Sequence, residues 1–433
     1  MRASMTTGDA IHAFLTDLYP ICRSITGDGT RETLRRMAMH VPLSITEVPS
    51  GTRVFDWTVP KEWNVKGAFV ADRQGRRIVD FGRHNLHLVN YSIPFNGTLT
   101  KDDLLPHLYS IPAHPTWIPY RTAYYQPRWG FCLPDVDLES LSDGPFDVHV
   151  DTSLEDGALS YGEYLLPGQS RDEILVYSHI CHPSLANDNL SGLAVTLWLA
   201  RQLAAMPRRY SYRFVWAPAT IGAITWLAIN RSNLSRIVAG FVAVLLGDSA
   251  AFTYKRSQRG DTDIDRILSY AVRRHGGRVI DFDPYGYDER QFCSPGIDLA
   301  VGRISRSVNG GYPEYHTSAD DLDFVSPQSL QQSLDLLFEV VDLIERNRVY
   351  VNLQPFGEPQ LGRRGLYRST GGETLPDREH SMLWLLNQCN GHRSLLDVAE
   401  RASVPFGSIA SISDELERAG LLREIDRSSE LKT

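Results

Sequence analysis

Histidines and carboxylates fall at a few points of this chain, each close behind a run of apolar residues. In "ILVYSHICHPSLANDNLSG", residues 174–192, His179 and His182 follow the apolar run and Asp188 comes next. "FVAVLLGD" ends on Asp248, and "GGYPEYHTSADDLD" carries His316. Imidazole with carboxylate is the donor set that Zn²⁺ prefers, at about 2.0 to 2.2 Å, and a catalytic zinc keeps one position open for water. A buried Asp at a strand end needs a partner to offset its desolvation; a metal is one answer, an Arg or a helix N-terminus another. Taken singly, His179 reads as a hydrogen-bonded core histidine and Asp188 as the N-cap of a helix beginning near Leu190. Asp248 likewise reads as a strand terminator, and His316 with Thr317 as turn residues. Taken together, they predict a metal centre.

Such a centre needs rigid elements behind it. Between residues 126 and 350 apolar strands ("EILVYSH", "SYRFVWAP", "AGFVAVLLGD", "LAVGRI") alternate with helical stretches such as "LSGLAVTLWLARQLAAM". That alternation predicts an α/β domain whose largely parallel sheet is flanked by helices, with its ligand site beyond the carboxyl ends of the strands. Residues 8–40 have helical spacing broken by a Gly-containing turn, and 45–125 break into short β-rich pieces separated by Pro and Gly. After the connector "NLQPFGEPQLGRRGLYRSTGG", residues 376–426 read as three helices of a winged-helix module. The expected organisation is N-terminal helices over 1–44, an inserted small all-β domain over 45–125, the α/β domain over 126–350 and a winged helix over 351–433.

Composition excludes some functions. With 433 residues, 42% hydrophobic, 22% charged and a net charge of -8, the chain has no bulk attraction for nucleic acid or an anionic membrane. The mixed charge of the C-terminal helices favours docking or dimerisation over DNA, so a homo-oligomer is compatible with the sequence. The five cysteines are far apart and odd in number, which predicts neither a disulfide framework nor a zinc ribbon and fits a reducing cytoplasm. No apolar run approaches the roughly 20 residues that span a bilayer, and the N-terminus lacks a secretory pattern. Cys181 precedes His182, but there is no GxSxG elbow, and "GDGTRET" lacks the Lys of a phosphate-binding P-loop.

"HICHPSLANDNLSG", "GYDERQFCSPGIDLAVG" and "EYHTSADDLD" resemble, in order and spacing, the zinc aminopeptidase and glutamate-carboxypeptidase-like exopeptidases. Nearly the whole chain is similar to an aminopeptidase-like branch of that superfamily, associated with polysaccharide or natural-product biosynthesis. "CRSITGDGTRETL" and "YYQPRWGFC" match its N-terminal and β-domain segments. The resemblance implies one or two Zn²⁺ ions held by His182, Asp188, Asp248 and His316, with His179 as alternative first ligand and Asn187 as the alternative on a strict alignment. Asp188 is preferred because a neutral amide is a poorer ligand than a carboxylate. The implied activity is hydrolysis of an amide in a small peptide-like or aminoacylated substrate.

One departure stands out. Where the family carries a general-base Glu, "PATIGAITW" places Ala219. Another carboxylate, Glu289, Asp288 or Glu314, must then serve as base, or activity is impaired, or the chain is a binding or scaffold protein using the same pocket. Glu289 or Arg290 is expected to hold the substrate's charged end and Tyr315 to support the oxyanion. Asp288 is a further substrate contact, and Arg31, Trp129 and Arg23 are candidates to line the pocket or to pack the hairpin on the α/β core.

Overall fold

The computed structural model describes residues 6–366 and 377–425. Parts of the expected domains therefore lie outside the described residues: 1–5, the connector segment 367–376 and the C-terminal 426–433. The chain forms two compact units, Met1–Phe338 and Glu339–Thr433, and the helix Pro327–Arg346 runs across the division.

The first unit is built on an eight-stranded sheet. Its centre is parallel: Ser211–Ala217, Glu173–His179, Ile237–Ala243 and Val301–Ser305 lie side by side. Every residue of Glu173–His179 and of Ser211–Ala217 is buried, as expected of strands covered on both faces. The flanks differ from the largely parallel sheet expected. Ser44–Pro49 and Ala158–Leu166 add antiparallel strands on one side, and Thr253–Lys255 joins antiparallel on the other. The helix Gly192–Leu203 is buried along nearly its whole length.

A separate four-stranded antiparallel sheet runs in the order Arg77–Asp80, Glu62–Ala71, Phe146–Glu155, Phe95–Leu99. Its boundaries differ from the expected 45–125. Phe146–Glu155 comes from beyond that range, and Ser44–Pro49 belongs to the large sheet. The reason is that strand pairing is non-local: Val70 opposes Val148, a partnership that a local reading of short β-rich pieces cannot register.

Two expected pocket residues are consumed here. Arg31 ties its helix to the neighbouring strands through ion pairs to Glu47 at 3.0 Å and Glu62, and pairs with Asp28 of its own helix at 3.1 Å. Trp129 is stacked between His107 and Phe95, with ring centroids 3.8 and 4.3 Å away. Both are packing residues of the β-rich region, the blander of their two readings.

In the second unit, strands Asn390–Ser394, Val349–Asn352 and Leu422–Glu424 form an antiparallel sheet beside helices Asp377–Gln388, Leu395–Ala402 and Phe406–Arg418. Ser394 and Asp397 close a capping box at the start of the middle helix, which satisfies orphan N–H donors there. Leu396, Val398, Ile409 and Leu416 fill the core between them. This is the winged helix, with its first strand beginning at Val349 rather than 351. Among the described residues no helix is long and apolar enough to cross a membrane.

Gly192 opens the buried helix where it passes closest to the sheet. A Cβ there would lie 2.5 Å from Asn189 Oδ1 and 2.6 Å from the Ala243 carbonyl, and a strand carbonyl cannot yield. Gly192→Ala should therefore destabilise the protein by about 1–3 kcal/mol, measured as a lowered urea midpoint at unchanged m-value; an unchanged midpoint would show that the contact relaxes freely.

Candidate metal centre

At the carboxyl edge of the central strands, His179, His182 and Asp188 each offer a ligand atom, and these atoms all lie within 4.8 Å of one another. His179 is the last residue of its strand and fully buried. Its Nε2 lies 3.0 Å from Asp188 Oδ1, while His316 Nε2 lies 3.1 Å from the other oxygen, Oδ2. Each carboxylate oxygen thus has its own imidazole. The His182 ring stands 4.9 Å from that of His179 and 5.2 Å from that of His316. His316 is the open member, its side chain 33% exposed. Its ring stacks on Tyr315 at 3.9 Å and meets Tyr120 edge-on.

The local sequence "NDNLSG" explains why Asp188 alone points at the histidines. Asn187 accepts the Gly247 N–H at 2.9 Å, Asn189 the Leu245 N–H at 3.1 Å, and Ser191 the Leu246 N–H at 2.8 Å. Asn189 also donates to Ser178 Oγ at 2.8 Å. These side chains stitch the segment to the end of strand Ile237–Ala243, and the Asp188–Asn189 peptide is cis. Asp188 does not cap the helix: Ser191 stands at its N-terminus, and the Asp188 carboxylate is held by the two histidines.

Asp248 is placed differently from its expected role. The strand stops at Ala243, because the N–H groups from Leu245 to Gly247 turn to the Asn187–Ser191 side chains instead of a sheet partner. Asp248 then accepts from Asn187 Nδ2 at 2.8 Å and from the Ala250 N–H at 2.7 Å, and it is absent from the convergent ligand group. Asp320, which sequence reasoning passed over, accepts the N–H of Asn187 at 2.5 Å and of Asp188 at 2.9 Å. Its position four residues after His316 in "HTSAD" was the available signal.

The electrostatics suit a cation. Burial holds His182 well below its ordinary value, so it stays neutral and able to ligate. Burial opposes ionisation of Asp188, yet the surrounding imidazoles hold it well below the usual carboxylate range. Burial pushes Asp320 well above that range, with Asp188 and Asp248 adding to the effect. A buried Nδ1 of His179 has no hydrogen-bond partner. Neutral imidazole, ionised carboxylate and buried acids in one place fit Zn²⁺ or a similar ion.

Around this group, Ala219 sits two residues past its strand, its N–H 3.3 Å from Cys181 Sγ. Burial pushes the Cys181 thiol up, which argues against a thiolate nucleophile. Arg23 donates to the His182 carbonyl at 2.8 Å and to that of Leu18 at 2.7 Å, so this candidate braces the ligand turn. Glu289 is paired with Lys255 at 2.7 Å and lies 3.8 Å from Arg303, which leaves it poorly suited as a free base. Glu314 supplies its backbone carbonyl to Thr317, and Arg290 reaches the Pro284 carbonyl at 3.4 Å. Asp288 is buried, accepts the Tyr177 hydroxyl at 2.8 Å, and is pushed up by burial to about 6.

Residues 12–347 match a family described as a domain of unknown function, DUF4910, and residues 348–424 match a winged helix-turn-helix family. A Clostridium acetobutylicum protein provisionally named a polysaccharide biosynthesis protein with aminopeptidase-like domain is 47% identical over 426 residues, covering 98% of each chain. A crystal structure from the same organism, provisionally named a peptidase, superposes with a TM-score of 0.92 at 45% identity over 97% of both chains. The zinc aminopeptidase BSAP of Bacillus subtilis shares the fold, with a TM-score of 0.56 at 14% identity over 78% of this chain and 95% of its own.

Asp288 yields a pH test. Its folded value of about 6 lies above the ordinary 3.8, so the native state binds a proton more tightly than the unfolded one. Its contribution to stability is therefore full below about pH 4 and falls as pH rises through 6. In metal-free protein, Asp288→Asn should match the parent at pH 4 and exceed it by about 2–3 kcal/mol at pH 8, read by denaturant unfolding at both pH values. Parallel profiles would show that Asp288 is not strained by burial.

Proposed function

Given that the chain belongs to the DUF4910 family, an aminopeptidase-like branch ending in a winged helix, we propose that it is a zinc-dependent hydrolase of aminopeptidase or amidase type. Its substrate is a small peptide-like or aminoacylated metabolite, cleaved at an amide. The reading rests on one observation, the convergence of His179, His182 and Asp188 beside a His316 that faces outward. These residues would hold one or two ions. Zinc bound there supplies Lewis acidity to a water and to the scissile carbonyl.

The chain's own residues divide the remaining work. Asp320 fixes the Asp188 backbone and Arg23 fixes the His182 carbonyl, so both ligands are presented without reorganisation. Asp288, with one oxygen held by Tyr177 and pushed up by burial to about 6, takes the proton from the attacking water. Tyr315, flat against His316, lines the approach, and Arg290 on the neighbouring segment meets a charged substrate end. The five cysteines are all free, which fits a cytoplasmic role, with a small molecule as partner and self-association compatible. Domain limits fall near 44 and 350, with the β-rich region extended past 125 to take in Phe146–Glu155.

Ala219 supports a second reading, a binding or scaffold protein that keeps the pocket but not the turnover. The two are separated by loading the protein with zinc after chelation and screening aminoacyl and acyl-amide compounds, alongside Ala219→Glu and His179→Ala. The hydrolase reading predicts activity that chelation removes and zinc restores, is absent in His179→Ala, and rises by about 10²–10⁴ in Ala219→Glu. Tight zinc binding without hydrolysis by either the parent or Ala219→Glu would instead support the scaffold.

A further inference from the structure

A cleft of about 350 Å³ opens between helix Ile221–Ile229 and the hairpin of strands Arg53–Val54 and Trp57–Thr58. It shares no lining residue with the metal centre. Its walls are the aromatic rings of Phe55 and Trp57 and the aliphatic side chains of Ile224 and Leu227, and its polar lining includes Asp56, Arg231 and Gln291. The size falls within the range of small-molecule sites, and an apolar floor with a few polar groups is their usual make-up.

The hairpin is anchored at its base and displayed at its tip. Val54 and Val59 are each only 1% exposed, whereas Phe55 and Trp57 are 42% and 41% exposed. Burying such a ring would stabilise the fold, so leaving both in water asks for another reason. Phe55 occupies a two-residue turn with φ 54°, a left-handed conformation that such turns normally give to Asn or Gly and that a bulky residue enters at a cost. Tyr125 is also exposed, has φ 61°, and meets the Trp57 ring edge-on at 5.4 Å. Strained backbone thus holds aromatic residues on both sides of Trp57 at the surface.

The polar lining narrows the occupant. Asp56 and Arg231 carry opposite charges, so the cleft as a whole favours neither an anion nor a cation. Among the described residues, the side chains of Asp56, Arg231 and Gln291 are engaged in no hydrogen bond or ion pair. A purely apolar ligand would cover these three groups and leave them without partners, which costs free energy for each. A pyranose ring has an apolar C–H face to lie on an aromatic ring and an equatorial fringe of hydroxyls that both donate and accept.

We infer that this cleft is a binding site for a neutral saccharide of one or two pyranose rings, with the sugar face on Trp57 and Phe55. Asp56 accepts from hydroxyls, Arg231 donates to them and Gln291 does both. The inference does not rest on the hydrolase reading, because no lining residue of the cleft is a metal-ligand candidate; Gln291 meets the proposed site only through its backbone N–H, which donates to the Asp288 carbonyl at 2.8 Å.

The test is saturation-transfer difference NMR on the full-length protein, with and without chelator. The probes are the methyl glycosides of glucose, galactose, mannose, N-acetylglucosamine and N-acetylgalactosamine and their common disaccharides. Indole and phenylalanine amide serve as non-sugar controls. The expected result is binding of at least one glycoside, unaffected by chelator, weakened tenfold or more in Trp57→Ala and severalfold in Gln291→Ala. Zinc content should stay unchanged in both variants, and because Trp57 is exposed, Trp57→Phe should retain part of the affinity. Failure of every glycoside to bind, equal binding by Trp57→Ala, or occupation of the cleft by the non-sugar controls alone would overturn the assignment.

Discussion

The rest of the site depends on keeping a negative charge at Asp188 in a place that water does not reach. Asp188 is completely buried, and an isolated carboxylate there would take up a proton rather than stay charged. What keeps it ionised is its surroundings. A different histidine stands against each oxygen, a third imidazole lies alongside, and the backbone N–H of Asp188 itself is tied to Asp320. The same groups are ones that could hold a divalent cation.

Holding those groups in place explains several otherwise arbitrary features of the fold. The sheet supplies His179 at a strand end, and the irregular Ala186–Ser191 segment supplies Asp188 between asparagines that bind strand-end N–H groups. Gly192 is small because the helix must start against the Ala243 carbonyl. Tyr287 stacks on His179 at 5.1 Å and Tyr315 on His316 at 3.9 Å, so aromatic neighbours restrain two of the imidazole rings. On the opposite balance, Ala219 removes the acid–base group expected beside Cys181, and burial raises the proton affinity of two nearby carboxylates, Asp288 and Asp320.

Much of this was legible in the sequence, for physical reasons that also mark where legibility ended. Buried parallel strands are apolar on both faces, so "EILVYSH" and "SYRFVWA" announce themselves, and the winged helix is local enough to read from helical spacing and its capping residues. His179, His182, Asp188 and His316 were visible as donors beyond such runs. The surroundings of Asp248 were not legible because the chain after Ala243 bonds with side chains 55 to 60 residues back in sequence, which an apolar run does not reveal. Asp320 was missed because it acts through backbone N–H groups. Arg31 and Trp129 went to packing, and the β-rich region overran residue 125 because Phe146–Glu155 finds its partners far back in the chain.

The most direct measurement is anomalous scattering at the zinc edge from crystals grown with zinc. The account predicts a strong peak within about 2.0 to 2.2 Å of nitrogen from His179 and His182 and oxygen from Asp188. No peak at that position, with the Asp188 carboxylate still bridging His179 and His316 by hydrogen bonds, would contradict it.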